Sequence, residues 1–167
     1  MRKALGVFIL AAVLAAPASA QMMGGSGGMS ALQYYVGSWN CTAGTIGKTP
    51  GKAAATYTYD SGMLRESIKV APNSTMKMPF MISSSTVWDA KHGRYVSTWL
   101  YGDGSWSVSY ANPWTGNKET WVDHMSSSPP LGRSETTRDS HDKFSFLGYH
   151  TLTAAKPNFA GSCTRAM

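Results

Sequence analysis

Beyond Ser30, apolar and polar residues alternate with period two rather than at helical spacing, and Ser, Thr, Tyr, Trp and Val dominate the alternating runs. That pattern and those residue types belong to half-buried strands of antiparallel sheet. The clearest stretch runs from Ser84 to Asp123, where short strands are separated by Ala90-Lys91-His92-Gly93, Gly102-Asp103-Gly104 and Asn112-Pro113-Trp114-Thr115-Gly116-Asn117. Glycine beside Asp, Asn or Lys marks hairpins, because tight turns need positive φ. A turn at Lys91-His92 sets Trp88 opposite Tyr95. One at Gly102-Asp103 sets Trp99 opposite Trp106 and Tyr95 opposite Tyr110, with Ser105, Ser107 and Ser109 on the other face. A four-residue loop from Pro113 to Gly116 adds Glu119, Trp121 and Asp123 to the aromatic face, whereas a one-residue slip brings in Lys118, Val122 and His124 instead. Earlier, Ala54 to Tyr59 and Met63 to Val70 flank Asp60-Ser61-Gly62 as a hairpin with Tyr59 facing Leu64. Later, Leu131 to Arg138, Lys143 to Leu152 and Phe159 to Arg165 read as strands, and the segments 71–79 and 125–130 read as loops. Only Ala31 to Val36 suits a short helical turn. The prediction is an all-β chain of about 8 to 10 strands in an antiparallel up-and-down meander.

The N-terminal pattern is different. Arg2 and Lys3 precede an apolar run from Leu5 to Leu14, and Ala18-Ser19-Ala20 supplies small residues for cleavage before Gln21. Residues 1–20 therefore read as a secretory signal, too short in its apolar run for a permanent anchor. Residues 21–30, rich in glycine and methionine, read as a flexible leader, and 31–167 as one domain. The expected protein is exported, periplasmic or secreted, with no stable membrane anchor.

An oxidising compartment favours a disulfide between the two cysteines, Cys41 and Cys163. If the first and last strands pair antiparallel with these residues opposite, the same register places Trp39 opposite Arg165. A sheet whose outer strands pair is a barrel, and closure removes exposed strand edges. Removing residues 1–20 leaves thirteen basic against nine acidic residues, a net charge of +4, scattered rather than clustered. A nucleic-acid binder concentrates such charge on a patch or stripe, so nucleic acid is not an expected partner.

Gly37-Ser38-Trp39 at the start of the first strand, an arginine in the last strand placed to cover that tryptophan, and the hairpin meander between them resemble the lipocalin-like, or calycin, superfamily of ligand-binding barrels. The likeness is to its small exported bacterial members of unassigned role. It implies a structural task for Trp39 and Arg165: closing one end of the barrel by packing and a cation–π contact. The long helix that follows the barrel in typical lipocalins has no counterpart, since Phe159 to Met167 reads as a strand.

Six tryptophans and eight tyrosines carry the main functional hint. Trp88, Tyr95, Trp99, Trp106, Tyr110 and Trp121 are the candidate ligand-binding residues, offering flat apolar surface with N–H and O–H groups for orientation. The same rings equally suit a solid core. The leading expectation is a barrel that binds a small apolar or aromatic molecule. A second is an envelope interaction or inhibitor module using the 112–117 loop, with Trp114 exposed. A third is an enzyme using Glu119, Asp123 or His124 as an acid/base set, although paired carboxylates on a strand usually mark a solvated face. No nucleophile elbow or phosphate loop is present, and no catalytic residue is assigned. His92, His124, His141 and His150 lack metal-ligand spacing, so no metal or cofactor is expected. Of the four, His150 shares the face of Phe144, Phe146 and Gly148 and is the candidate inward histidine.

Overall fold

The computed structural model of the protein describes residues 28–72 and 78–167. The expected signal and most of the expected leader lie outside these residues, as does part of the 71–79 loop. A 3₁₀ helix, Met29–Tyr35, leads into ten strands: β1 Gly37–Thr45, β2 Gly51–Asp60, β3 Met63–Val70, β4 Phe80–Asp89 and β5 Arg94–Tyr101, then β6 Trp106–Ala111, β7 Lys118–Ser126, β8 Arg133–Ser140, β9 Lys143–Tyr149 and β10 Phe159–Arg165. Each strand pairs antiparallel with its neighbour in sequence, and β1 pairs with β10 to close the barrel.

The seam follows the expected register. Cys41 lies opposite Cys163 and Trp39 opposite Arg165, and the two cysteines form a disulfide, consistent with an exported protein. The predicted pairs Tyr59 with Leu64 and Trp88 with Tyr95 also form. The β5–β6 turn is one residue longer than predicted. Tyr101 N–H donates to Ser105 O, Gly104 N–H donates to Tyr101 O, and Asp103 Oδ1 accepts from Ser105 N–H. Trp99 therefore faces Ser107, and Tyr95 faces Ala111. Because side chains alternate, that slip turns the whole of β6 over. Ser107, Ser109 and Ala111 point inward and are buried, while Trp106, Val108 and Tyr110 point outward.

One end of the barrel is corked. The 3₁₀ helix precedes β1 and tucks Leu32 and Tyr35 into the interior, and Gly37, at φ 127°, turns the chain from it into β1. Trp39 is fully buried, donates from Nε1 to Tyr35 O at 2.7 Å, and is covered by the Arg165 guanidinium at 4.3 Å. Arg165 in turn donates to Val36 O at 2.8 Å and Tyr34 O at 3.0 Å. Arg138 donates to Ala31 O at 2.6 Å, and the Tyr95 hydroxyl to Gly28 O at 3.0 Å. The residues from Gly28 to Ser30, expected to belong to the leader, are thus part of the closure. The β2–β3, β4–β5, β6–β7 and β8–β9 hairpins turn at this end, and the other loops lie at the opposite end, the mouth.

Candidate functional site

The inner wall changes character between its two ends. Near the cork, Trp39, Tyr57, Leu64, Tyr95 and Phe144 are buried against one another and the helix. Towards the mouth, Ile68, Ile82, Trp99 and Phe146 point inward yet remain half-exposed. Between them the wall is lined with short side chains: Ala55, Ser84, Thr86, Ser97, Ser107, Ser109 and Ala111. An open recess of about 230 Å³ lies at the mouth, bordered by Tyr101, Asp103, Ser105, Ser107, Asp123, Ser126 and Ser128.

Four of the six rings expected to share a face do so: Trp88, Tyr95, Trp99 and Trp121 point inward. Trp106 and Tyr110 do not. The longer β5–β6 turn places them outside, where Trp106 is 39% exposed. Tyr110 is sandwiched there between the Arg94 guanidinium at 3.8 Å and the His124 ring at 4.8 Å. A second departure from the predicted register, across the β6–β7 loop, pairs Ala111 with Trp121. It reverses the effect of the first, so Glu119, Trp121 and Asp123 face inward after all.

Trp114, expected to stand exposed on its loop, folds under the cork. It packs against Tyr35 at 5.9 Å and beneath the Arg138 guanidinium at 3.6 Å. His150 is exposed just beyond the end of β9, so the expected inward histidine is absent, and His92, His124 and His141 are exposed as well. Among the described residues no group of three acidic, His or Cys side chains is placed to hold a metal. The acid/base set proposed from sequence is split: His124 is outside, while Glu119 and Asp123 are inside.

The interior carboxyl groups were underestimated by the sequence reading. Glu66 is buried on β3; Ser84 Oγ donates to its Oε2 at 2.9 Å, and the Tyr57 hydroxyl acts on the same carboxyl. Burial raises the Glu66 pKa against the lowering effect of those two partners. Glu119, only 2% exposed, accepts at Oε2 from the Tyr35 hydroxyl at 3.2 Å and Trp121 Nε1 at 3.0 Å. Its Oε1 has no partner, an arrangement that costs about 1–3 kcal/mol in a buried site. Burial pushes its pKa up to about 7, against hydrogen bonds from Trp121 and Tyr35 and the charge of Arg138. Tyr35 stacks on Tyr57 at 5.3 Å, so the two acids flank a pair of stacked rings. Both tyrosines are held well above their usual pKa, by burial first and by the neighbouring acids second. A short-range pattern did point to Glu119: it lies two residues before Trp121 on an alternating strand. Glu66 carried no such flag, because it alternates with Arg65 and Ser67 and has no aromatic neighbour two residues away on its strand.

Fold and site together define a closed ten-stranded antiparallel β-barrel with one end corked and acidic groups inside. No protein-family model matches the chain, and no curated protein matches it. Among solved structures it is similar to one described as a redesigned beta barrel, at 15% identity and a TM-score of 0.44, over 82% of this chain and 96% of that one.

Proposed function

We propose that this chain is an exported binding protein of lipocalin-like type that takes a small molecule with an aromatic or apolar body at the end of the barrel opposite the cork. The observation that carries this reading is the partial exposure of inward-facing Ile68, Ile82, Trp99 and Phe146 towards the end opposite the cork, where Val70 and Phe80 are likewise only half-buried. Apolar side chains turned inward but left wet gain free energy from any apolar surface that covers them, about 25 cal/mol per Å². Trp99 supplies the largest such surface near the mouth and does not belong to the buried cluster at the cork. The Gly37-Ser38-Trp39 segment and Arg165 support the lipocalin-like comparison, because they close the barrel as that resemblance implies.

Tryptophan fluorescence titrated with neutral hydrophobic probes such as Nile red tests the reading. A saturable change is expected, and Trp99→Ala should weaken it at least tenfold while leaving the far-ultraviolet circular dichroism of the barrel unchanged. If no probe perturbs the fluorescence and Trp99→Ala simply unfolds the protein, the rings are core.

A further inference from the structure

The charges on the inner wall are one-sided. Between the cork and the mouth, the inward positions of the described residues carry Glu66, Glu119 and Asp123 and no lysine, arginine or histidine. The two inward arginines lie at the cork: Arg165 on Trp39 and the carbonyls of Tyr34 and Val36, and Arg138 on Trp114 and the carbonyl of Ala31, where its Nε has no partner and its charge reaches Glu119. Asp123 is satisfied by Ser109 Oγ at 2.7 Å and Gly132 N–H at 3.1 Å. Glu66 has Ser84 and Tyr57. Glu119 alone keeps a buried oxygen, Oε1, without a donor.

We infer that the ligand is a small organic cation, an aromatic or apolar body bearing a protonated amine, whose N–H group supplies the donor that Glu119 Oε1 lacks. The inference rests on the binding role proposed above and names the chemistry of that same site. Two independent features support it. The first is the donor deficit at Glu119. The second is the recess at the mouth, where Asp103 and Asp123 stand among hydroxyl groups with no base beside them. Asp123 and Glu119 lie on the same inward column of β7, about 13 Å apart along an extended strand, a span that fits an amine on a fused-ring or short alkyl body. Trp121 stands between them in that column and Trp99 lies across Ser107 on β5, and an indole face attracts an ammonium group. A carboxylate ligand meets the opposite situation: its charge repels Glu119 and Asp123, and the nearest base, Arg138, is held against Trp114 and the Ala31 carbonyl at the cork.

Calorimetry on the purified chain with three probes of one shape provides the test: 1-naphthylmethylamine, 1-naphthylmethanol and 1-naphthoate, at pH 7.5. The amine is expected to bind at least tenfold more tightly than the alcohol, and the carboxylate most weakly. Glu119→Gln should remove the amine's advantage over the alcohol. Equal affinities for amine and alcohol, preference for the carboxylate, or an amine affinity indifferent to Glu119→Gln each overturn the cation assignment while leaving a binding barrel in place. Failure of all three probes together with Nile red overturns both readings. The comparison among probes on the unsubstituted chain stands even where the variant fails to fold.

Discussion

Gly37 shows how much a single position at the cork is asked to do. Its φ of 127° is open to glycine and strained for other residues, and a Cβ there would lie 2.8 Å from Arg165 Nη1. That guanidinium is pinned by two carbonyls and the Trp39 ring, so it has little freedom to yield. Gly37→Ala is expected to cost roughly 2–3 kcal/mol in urea unfolding, the range for a strained backbone with a forced contact. Glu119 gives the other residue-level expectation. Tyr35, Trp121, Arg138 and Tyr95 face it, with Tyr57 and Glu66 beyond Tyr35. Its folded pKa of about 7 lies above the ordinary 4.5 of a glutamate, so the native state holds this proton longer than the unfolded chain does. The associated stability is complete below about pH 4.5, falls as pH rises towards 7 and is flat above, a change of roughly 3 kcal/mol. Glu66, also raised, acts in the same direction. Urea midpoints at pH 5 and 8 should differ less in Glu119→Gln than in the parent chain; an unchanged difference would show that Glu119 does not set the slope.

At the scale of the element, legibility in sequence depended on whether a turn's length was written in its residues. The β4–β5 hairpin was readable, because Trp88 and Tyr95 bracket a glycine-ended turn of ordinary length. The seam was readable too: two cysteines, one tryptophan and one arginine agree on a single register. The β5–β6 turn was not. Gly102, Asp103 and Gly104 all suit a turn, and nothing among them says that the Asp103 carboxylate will cap Ser105 and lengthen the loop by one residue. That one residue sent Trp106 and Tyr110 outside and brought Ser107 and Ser109 in. The cork was only half visible, since Ala31 to Val36 suggested a helical turn but not that it would enter the barrel and carry Tyr35 to Glu119. The same slip adds Trp106 to an outward face bearing Val87, Leu100, Val122 and Met125 on β4–β7, which contrasts with the polar outer faces of β1 and β3.

For the molecule as a whole, the Cys41–Cys163 bond joins positions 122 residues apart. By the chain-entropy estimate, closing so long a loop contributes about 5 kcal/mol, so the Cys41→Ala, Cys163→Ala double variant should lose a stability of that order in urea, and dithiothreitol should reproduce the loss in the parent chain. The pairing of β1 with β10 also has a consequence in time. Hairpins from β2 to β9 find their partners within a few residues, but β1 and β10 must wait for each other across the entire intervening meander. Contacts so remote in sequence slow the search, and until they form the sheet is an open ribbon with two bare margins, able to recruit a stranger's strand where its own is still missing. The chain is therefore most prone to mispairing in the interval before its last strand arrives.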